Sequence, residues 1–454
     1  MVTSIKTFSN SYLGEAGLDT QILYQKVTFE DDNGLKLDKK KFVEEFKQLI
    51  NIRIFDESFI AYNNKTGISD IISDIELERI IKFIVDEINS RIWNLHLGSN
   101  IKEILKREVD TLCEIPKYED YIFLENGIYE ISTRQIIEYN PDIIVTKKID
   151  NAYNEEATCP QFIRFIEESM CGDQELVAVI HEMLGYILID STKAQKFFLI
   201  YGLGSNGKSV LGDVIIEMLG KDNTSSVSLK QMNENFIIAN IMDKKANVSA
   251  ENEANFETEK LKAITSGDTI TMDRKYKEAI EYKPTAKMIF ISNILPNTMD
   301  NSHGFYRRLM IIPFNNIISE ADKDVDLLSK LQKEKEGILM WSIEGLHRLI
   351  ENNYVFSNSK MIENITKKYI EGQDTVLMFF KENIRYVEGG RLMRKEIIEK
   401  YKIWGAKNAI DTNGTESTAK FWKEFRRVAI LEGLEFEESK FNGTRGFKNI
   451  GWAA

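Results

Sequence analysis

The residues best equipped for chemistry form one short run, Gly202-Leu-Gly-Ser-Asn-Gly207-Lys208-Ser209, which reads G-x-x-x-x-G-K-S. Glycines at this spacing let backbone N–H groups converge on an anion, and the amino end of the following helix adds its dipole. Lys208 would bring a full charge to the β- and γ-phosphates of a nucleoside triphosphate, and the Ser209 hydroxyl would hold Mg²⁺. Gly202, Gly204, Ser205, Asn206, Gly207, Lys208, Ser209 and Val210 are thus the expected nucleotide cradle. A chance match is the alternative. It is opposed by the apolar strand pattern Phe197–Tyr201 before the loop and by the helical pattern through Val210, Leu211, Val214, Ile215 and Leu219 after it.

Three later runs could complete a hydrolytic site. Lys245-Ala-Asn-Val-Ser-Ala-Glu251-Asn-Glu253 reads as a short strand ending in carboxylates, as a bound metal and an attacking water require. Glu251 is assigned to metal or water activation and Glu253 to its support, although an isolated surface Glu pair would look the same. Lys287-Met-Ile-Phe-Ile-Ser-Asn293 is a cleaner strand, and its terminal amide can orient water against a γ-phosphate; a plain turn before Leu295-Pro296 is the other reading. Arg307-Arg308 precedes the apolar strand Met310–Phe314 and could reach a neighbouring subunit's nucleotide, or be surface charge.

The elements that must position these residues follow from periodicity. Residues 191–320 alternate strand-like and helical runs, which predicts an α/β motor domain. Ahead of it, residues 1–119 read as a mainly helical or α+β unit, with Phe42, Phe46, Leu49 and Ile50 and later Ile80, Ile81, Ile84 and Ile88 at helical spacing. Residues 120–190 read as a small hairpin turning at Asn126-Gly127 and then a helical collar opened by Cys159-Pro160. Residues 321–372 read as a helical lid and linker. In residues 373–454, two helices precede a hairpin tipped by Asn442-Gly443, the pattern of a winged helix.

Composition bounds the rest. A chain of 454 residues, 43% apolar, can bury several cores. Cys113, Cys159 and Cys171 lie far apart, which argues against a zinc site or a disulfide framework. No leader-like amino terminus and no long apolar run is present, so a soluble, cytoplasmic chain without a membrane partner is expected. A net charge of −12 argues against nucleic-acid binding until its distribution is considered. Residues 391–454 hold 13 Lys and Arg against 9 Asp and Glu, leaving −16 for the remainder. A basic carboxy-terminal module fits localised DNA contact, through Lys423, Arg426 and Arg427 on a helix and Arg445 and Lys448 on the wing.

Taken together, Asn126-Gly-Ile-Tyr, Thr158-Cys-Pro160, Gly185-Tyr186, Gly204-Ser-Asn-Gly-Lys-Ser209, Ala250-Glu251, Thr265-Ser-Gly-Asp268, Ser292-Asn293-Ile-Leu-Pro296 and Arg307-Arg308 resemble the helicase half of phage, plasmid and poxvirus primase-helicases, from about residue 120 onward. The resemblance implies a superfamily 3 motor of AAA+ type, a homo-hexameric ring, ATP with Mg²⁺, and movement on DNA that is typically 3′ to 5′. A bacterial host cell is expected, and a separate primase or accessory replication protein is left open as a further partner. It also implies Asn293 as a sensor, Arg307 or Arg308 as a finger acting in trans, and a DNA-facing hairpin from Asp268 to Lys283 carrying Arg274, Lys275, Tyr276 and Lys277. Cations beside an aromatic suit a single strand. The sequence departs from relatives in separating Glu251 from Glu253 by Asn252, which leaves open which carboxylate activates water. Nor is a convincing D-x-D strand found near Asp70, Asp74 and Glu76, so primer synthesis is not expected. A nucleotide-switched origin-binding initiator or loader is the competing reading; a GTPase is opposed by the lack of N-K-x-D.

Overall fold

A computed structural model describes residues 5–14, 17–32, 34–250, 256–274, 277–298, 300, 302–319, 321, 323–408, 418–434, 436–441 and 443–453. Its centre is a five-stranded parallel sheet built from β1 (Phe197–Tyr201), β2 (Thr224–Ser225), β3 (Ala246–Ser249), β4 (Lys287–Ser292) and β5 (Leu309–Pro313), in the order β2-β3-β4-β1-β5. Alternate residues of β1 enter two different cores: Phe198 and Ile200 on one face, Phe197 and Leu199 on the other. Burial on both faces is why the strands of a parallel sheet read as continuous apolar runs rather than as an alternation.

The first face is covered by α1 (Pro160–Ser169), α2 (Gln174–Tyr186), α3 (Lys208–Leu219) and α4 (Lys335–Glu351). Pro160 starts α1 where its missing N–H costs nothing, and the Asp173 carboxylate caps α2 by accepting from the amides of Glu175 and Leu176. The collar read from the sequence therefore does not stand apart. Ile122, Leu124, Phe162, Val179 and Met183 share one continuous core with Ile200, Leu211 and Ile215 of the sheet and α3.

Helices α2 and α4 cross almost backbone to backbone. A Cβ added at Gly185 would lie 2.2 Å from the Leu346 amide nitrogen, and one at Gly345 would lie 2.0 Å from the His181 carbonyl oxygen. This explains the glycine of the Gly185-Tyr186 pair. At the crossing, the His181 ring stacks on Trp341 at 4.1 Å, and its Nε2 lies 2.6 Å from the Trp341 carbonyl oxygen. Burial holds the imidazole down to about 4, against an ordinary value of 6.5. The unfolded chain then binds more protons than the native one below about pH 6.5, so stability is full above that value and is lost as pH falls towards 4. His347, which faces the Tyr129 hydroxyl, is also lowered by burial and contributes with the same sign. We expect the thermal midpoint to drop across this window in wild type and the slope to flatten in His181→Phe. A slope identical in the two proteins would contradict the assignment.

At the amino-terminal edge of the sheet, the Lys287 ammonium donates to the carbonyls of Ile189 and Thr285 and lies 4.8 Å from the centre of the Tyr186 ring. Complete burial pushes it down to about 7. Lys245 pairs with Asp190 at 3.0 Å, so the segment after α2 is tied to the starts of both β3 and β4.

The amino-terminal unit has its own core around Phe42, Phe46, Leu77, Ile81 and Ile101. Its helices are interrupted by an antiparallel sheet of Ile52–Phe55, Ser58–Asn63 and Ile68–Ile72, an α+β arrangement in which helix still predominates. The first turn of that sheet, Asp56-Glu57, adopts left-handed φ values of 48° and 64° without a glycine, so the usual punctuation is missing from the sequence.

Beyond α4, Ser359 caps α5 (Lys360–Gln373), which packs against β5 and leads into the last module. There a helix (Thr375–Asn383), a strand (Ile384–Met393), two helices (Arg394–Lys407 and Thr418–Leu431) and a hairpin (Glu437–Phe441 and Thr444–Trp452) enclose an aromatic core of Phe379, Tyr401, Phe421, Phe425 and Phe447. The strand Ile384–Met393, unread in the sequence, pairs with Thr444–Trp452 to complete a three-stranded sheet. Among the described residues no helix is long and apolar enough to cross a membrane.

Candidate nucleotide site and its surroundings

The loop after β1 has the backbone its glycines allow. Gly204, Ser205 and Gly207 take φ values of 106°, 46° and 85°. Gly207 lies against α1, where a Cβ would meet the Phe165 ring at 2.7 Å. No side chain caps the amino end of α3, so its first amides face the loop rather than a capping oxygen. Three further contacts hold the loop: Asn206 Nδ2 donates to the Phe314 carbonyl at 2.8 Å, Ile318 N to the Ser205 carbonyl at 2.8 Å, and Gly202 N to the Ser292 carbonyl at 3.3 Å. These supports, one from the end of β4 and two from the chain after β5, left no trace in the sequence reading, because contacts spanning about a hundred residues impose no local periodicity.

Lys208 is 4% exposed and donates to the Gly202 carbonyl at 2.7 Å and to Asn206 Oδ1 at 2.8 Å, which aims its ammonium into the ring of the loop. Burial lowers its pKa. Ser209 is exposed at the loop mouth, and Val210 is half-buried on the first turn of α3. Because Ser292 pairs with Tyr201 across parallel strands, Asn293 and Gly202 leave the sheet side by side. The structure thus brings Lys208, Ser209 and Asn293 to one edge. Neighbouring β3 ends at Ser249, opposite Phe290, and runs towards the same edge. Glu251 and Glu253 lie outside the described residues. Among those described, no cluster of His, Cys, Asp or Glu could hold a metal ion by itself.

Arg307 and Arg308 lie at the other edge. Leu309 pairs with Phe197 at the start of β1, and Phe197 N donates to the Arg308 carbonyl at 2.9 Å. The two arginines are therefore separated from the loop by the length of β1, roughly 16 Å at the usual rise per residue. Their side chains differ. Arg308 turns inward, donating from Nε to Ser266 Oγ at 2.8 Å and from Nη1 to the Gly304 carbonyl. Arg307 is exposed, and among the described residues no hydrogen bond or ion pair engages its guanidinium.

The expected hairpin is present as antiparallel strands Ile270–Arg274 and Lys277–Tyr282, within the range Asp268–Lys283. Lys275 and Tyr276 at its tip, and the side chain of Lys277, lie outside the described residues. Arg274 forms an ion pair with Asp56 of the amino-terminal unit at 2.9 Å. In the last module several expected DNA contacts are engaged within the chain. Arg426 pairs with Glu438, Arg427 with Asp374 and with Glu424 at 2.6 Å, and Lys448 with Glu437 at 3.0 Å. Lys423 and Arg445 are exposed.

Comparison with known proteins adds the following. Residues 32–171 match the "D5 N terminal like" family model, and residues 200–308 match the model of a family of unknown function, DUF5906. The "Putative helicase L207/L206" of Acanthamoeba polyphaga mimivirus is 27% identical over 231 residues, which is 47% of this chain. The match spans only 23% of that relative's length. Among solved structures, the apo C-terminal region of NrS-1 is similar at 15% identity and a TM-score of 0.49, covering 89% of this chain and 97% of that one. A second structure of the same region gives 14%, 0.49, 96% and 100%.

Proposed function

We propose that this chain is an ATP-dependent DNA helicase or translocase of superfamily 3 AAA+ type, assembled as a homo-hexameric ring. It moves 3′ to 5′ during replication of a phage or mobile element in the cytoplasm of a bacterial host. ATP lies in the loop Gly202–Val210, Lys208 binds the β- and γ-phosphates, Ser209 and Glu251 hold Mg²⁺, Glu253 supports Glu251, and Asn293 senses the γ-phosphate. The observation that carries the assembly is the placement of Arg307: strand-length removed from its own loop, exposed and unengaged among the described residues, it suits a nucleotide bound next door. The name of the mimivirus relative, "Putative helicase L207/L206", supports a nucleic-acid track.

The hairpin, through Arg274, Lys275, Tyr276 and Lys277, grips single-stranded DNA. The last module acts as a winged helix through Lys423 and Arg445, joined by Arg426, Arg427 and Lys448 where DNA phosphate displaces their acidic partners. A separate primase or accessory replication protein supplies priming. A second reading, an origin-binding initiator or loader switched by nucleotide, is favoured by the ion pairs that engage Arg274, Arg426 and Arg427. Forked DNA with either overhang separates the two. The motor reading expects ATP-dependent strand separation on the fork with a 3′ overhang, whereas DNA-stimulated hydrolysis without unwinding on either fork selects the loader.

A further inference from the structure

Asn293 stands at the head of a loop that turns back on itself, with Ser292 Oγ 2.5 Å from the Ile294 carbonyl, and then runs under α5. Three hydrogen bonds fasten the loop to that helix. The Tyr369 hydroxyl donates to the Pro296 carbonyl at 2.5 Å. The Gln373 amide uses both ends, accepting from Thr298 N at 3.1 Å and donating to Asn297 Oδ1 at 3.1 Å. Tyr369 is 5% exposed, so its hydroxyl is held in place and its ionisation is pushed upward by burial. Beside these bonds Leu295 of the loop and Ile365 of the helix pack against the core that holds Tyr369, and the contact between them is interrupted by a groove. A cavity of about 460 Å³ opens between Tyr201 and Leu295 on one side and Ile365 and Tyr369 on the other. Where packing is incomplete, directional hydrogen bonds decide where a loop sits.

The same helix is joined directly to the last module. Asp374, the residue after Gln373, caps the helix Thr375–Asn383 by accepting from Leu377 N at 2.9 Å, and its other oxygen takes Arg427 from the helix Thr418–Leu431. Asp374 thus ties the end of α5, next to Gln373, to the last module.

We propose that Tyr369 and Gln373 are positioning residues for hydrolysis: from α5 they set the loop that carries Asn293, and they link its position to the carboxy-terminal module. The proposal rests on the ATPase reading above. An amide that senses a γ-phosphate must be placed to a fraction of an ångström, and releasing its support slows the chemical step while leaving nucleotide binding to the phosphate loop.

Tyr369→Phe keeps the ring and removes only the hydroxyl; Gln373→Ala removes both amide contacts. In each full-length variant, kcat for ATP is expected to fall about tenfold, the scale of one lost directional hydrogen bond, with KM and the Kd of a fluorescent ATP analogue unchanged. Glu371→Gln, on the exposed side of the same helix, is expected to keep the wild-type kcat. Wild-type kcat in both variants overturns the proposal. So does a fall in kcat accompanied by an equal loss of analogue affinity and a lowered thermal midpoint, which marks a purely structural role. If wild type itself shows no hydrolysis that Lys208→Ala removes, the ATPase reading fails and the proposal falls with it.

Discussion

Lys208→Ala is expected to lower kcat for ATP hydrolysis by about a hundredfold or more and to eliminate strand separation. The ammonium is the one full positive charge held inside the loop, between the Gly202 carbonyl and Asn206 Oδ1. Alanine leaves the glycine backbone and the end of α3 intact, so a nucleotide could still dock, but charge developing on the β- and γ-phosphates would meet only amide dipoles. Lysine acts here as a compact point charge, and the planar, forked arginine side chain is a poor replacement in a space this closed, so Lys208→Arg is expected to remain impaired. Steady-state phosphate release with and without single-stranded DNA measures the effect, and thermal melting checks that the variant is folded. Hydrolysis near the wild-type rate in a folded Lys208→Ala protein would remove the nucleotide site from this loop.

The second large effect is expected at Arg307. An arginine finger is worth about a thousandfold or more in rate, and Arg307→Ala should approach that loss while binding ATP normally. Arg308→Ala should behave otherwise. Its guanidinium bridges Ser266 and Gly304, so its removal should lower the thermal midpoint along with activity. Complementation supplies the decisive measurement. Mixing Arg307→Ala with Lys208→Ala subunits creates some interfaces with an intact loop facing an intact finger, and partial recovery is expected. No recovery, or Arg307→Ala activity equal to wild type, would refute the trans assignment and with it the need for a ring.

Much of the parallel-sheet domain could be read from residues alone because its signals are local. The strand, the glycine loop and the helix around Lys208 fall within about twenty residues, where turn chemistry and apolar spacing act directly. The hairpin at Asn126-Gly127 was legible for the same reason, as were the strands flanking Gly443, Asn442 itself lying outside the described residues. The three-stranded sheet around Ser58–Asn63 was not, since its first turn is made by Asp56-Glu57 and its strands are short enough to be mistaken for pieces of helix. Strand Ile384–Met393 was hidden by a register irregularity between Tyr386 and Arg391, around Gly389-Gly390. Functional contacts made across long stretches of chain were the least visible. Nothing near Asn293 announces Tyr369 or Gln373, and nothing near Arg427 announces Asp374. Opposite charges far apart in sequence find each other only in the folded chain, which is why the carboxy-terminal cations looked freer on paper than they are.

The single core shared by the collar helices and the sheet sets where this domain can be cut. A fragment beginning at residue 191 would shed α1, α2 and the hairpin at Tyr121–Glu130, laying bare the face of the sheet and α3 that Phe162, Val179 and Met183 cover. Such a fragment would be sticky rather than merely shortened. The smallest self-sufficient unit therefore starts ahead of Tyr121, and the glycine loop inherits its rigidity from chain laid down well before it.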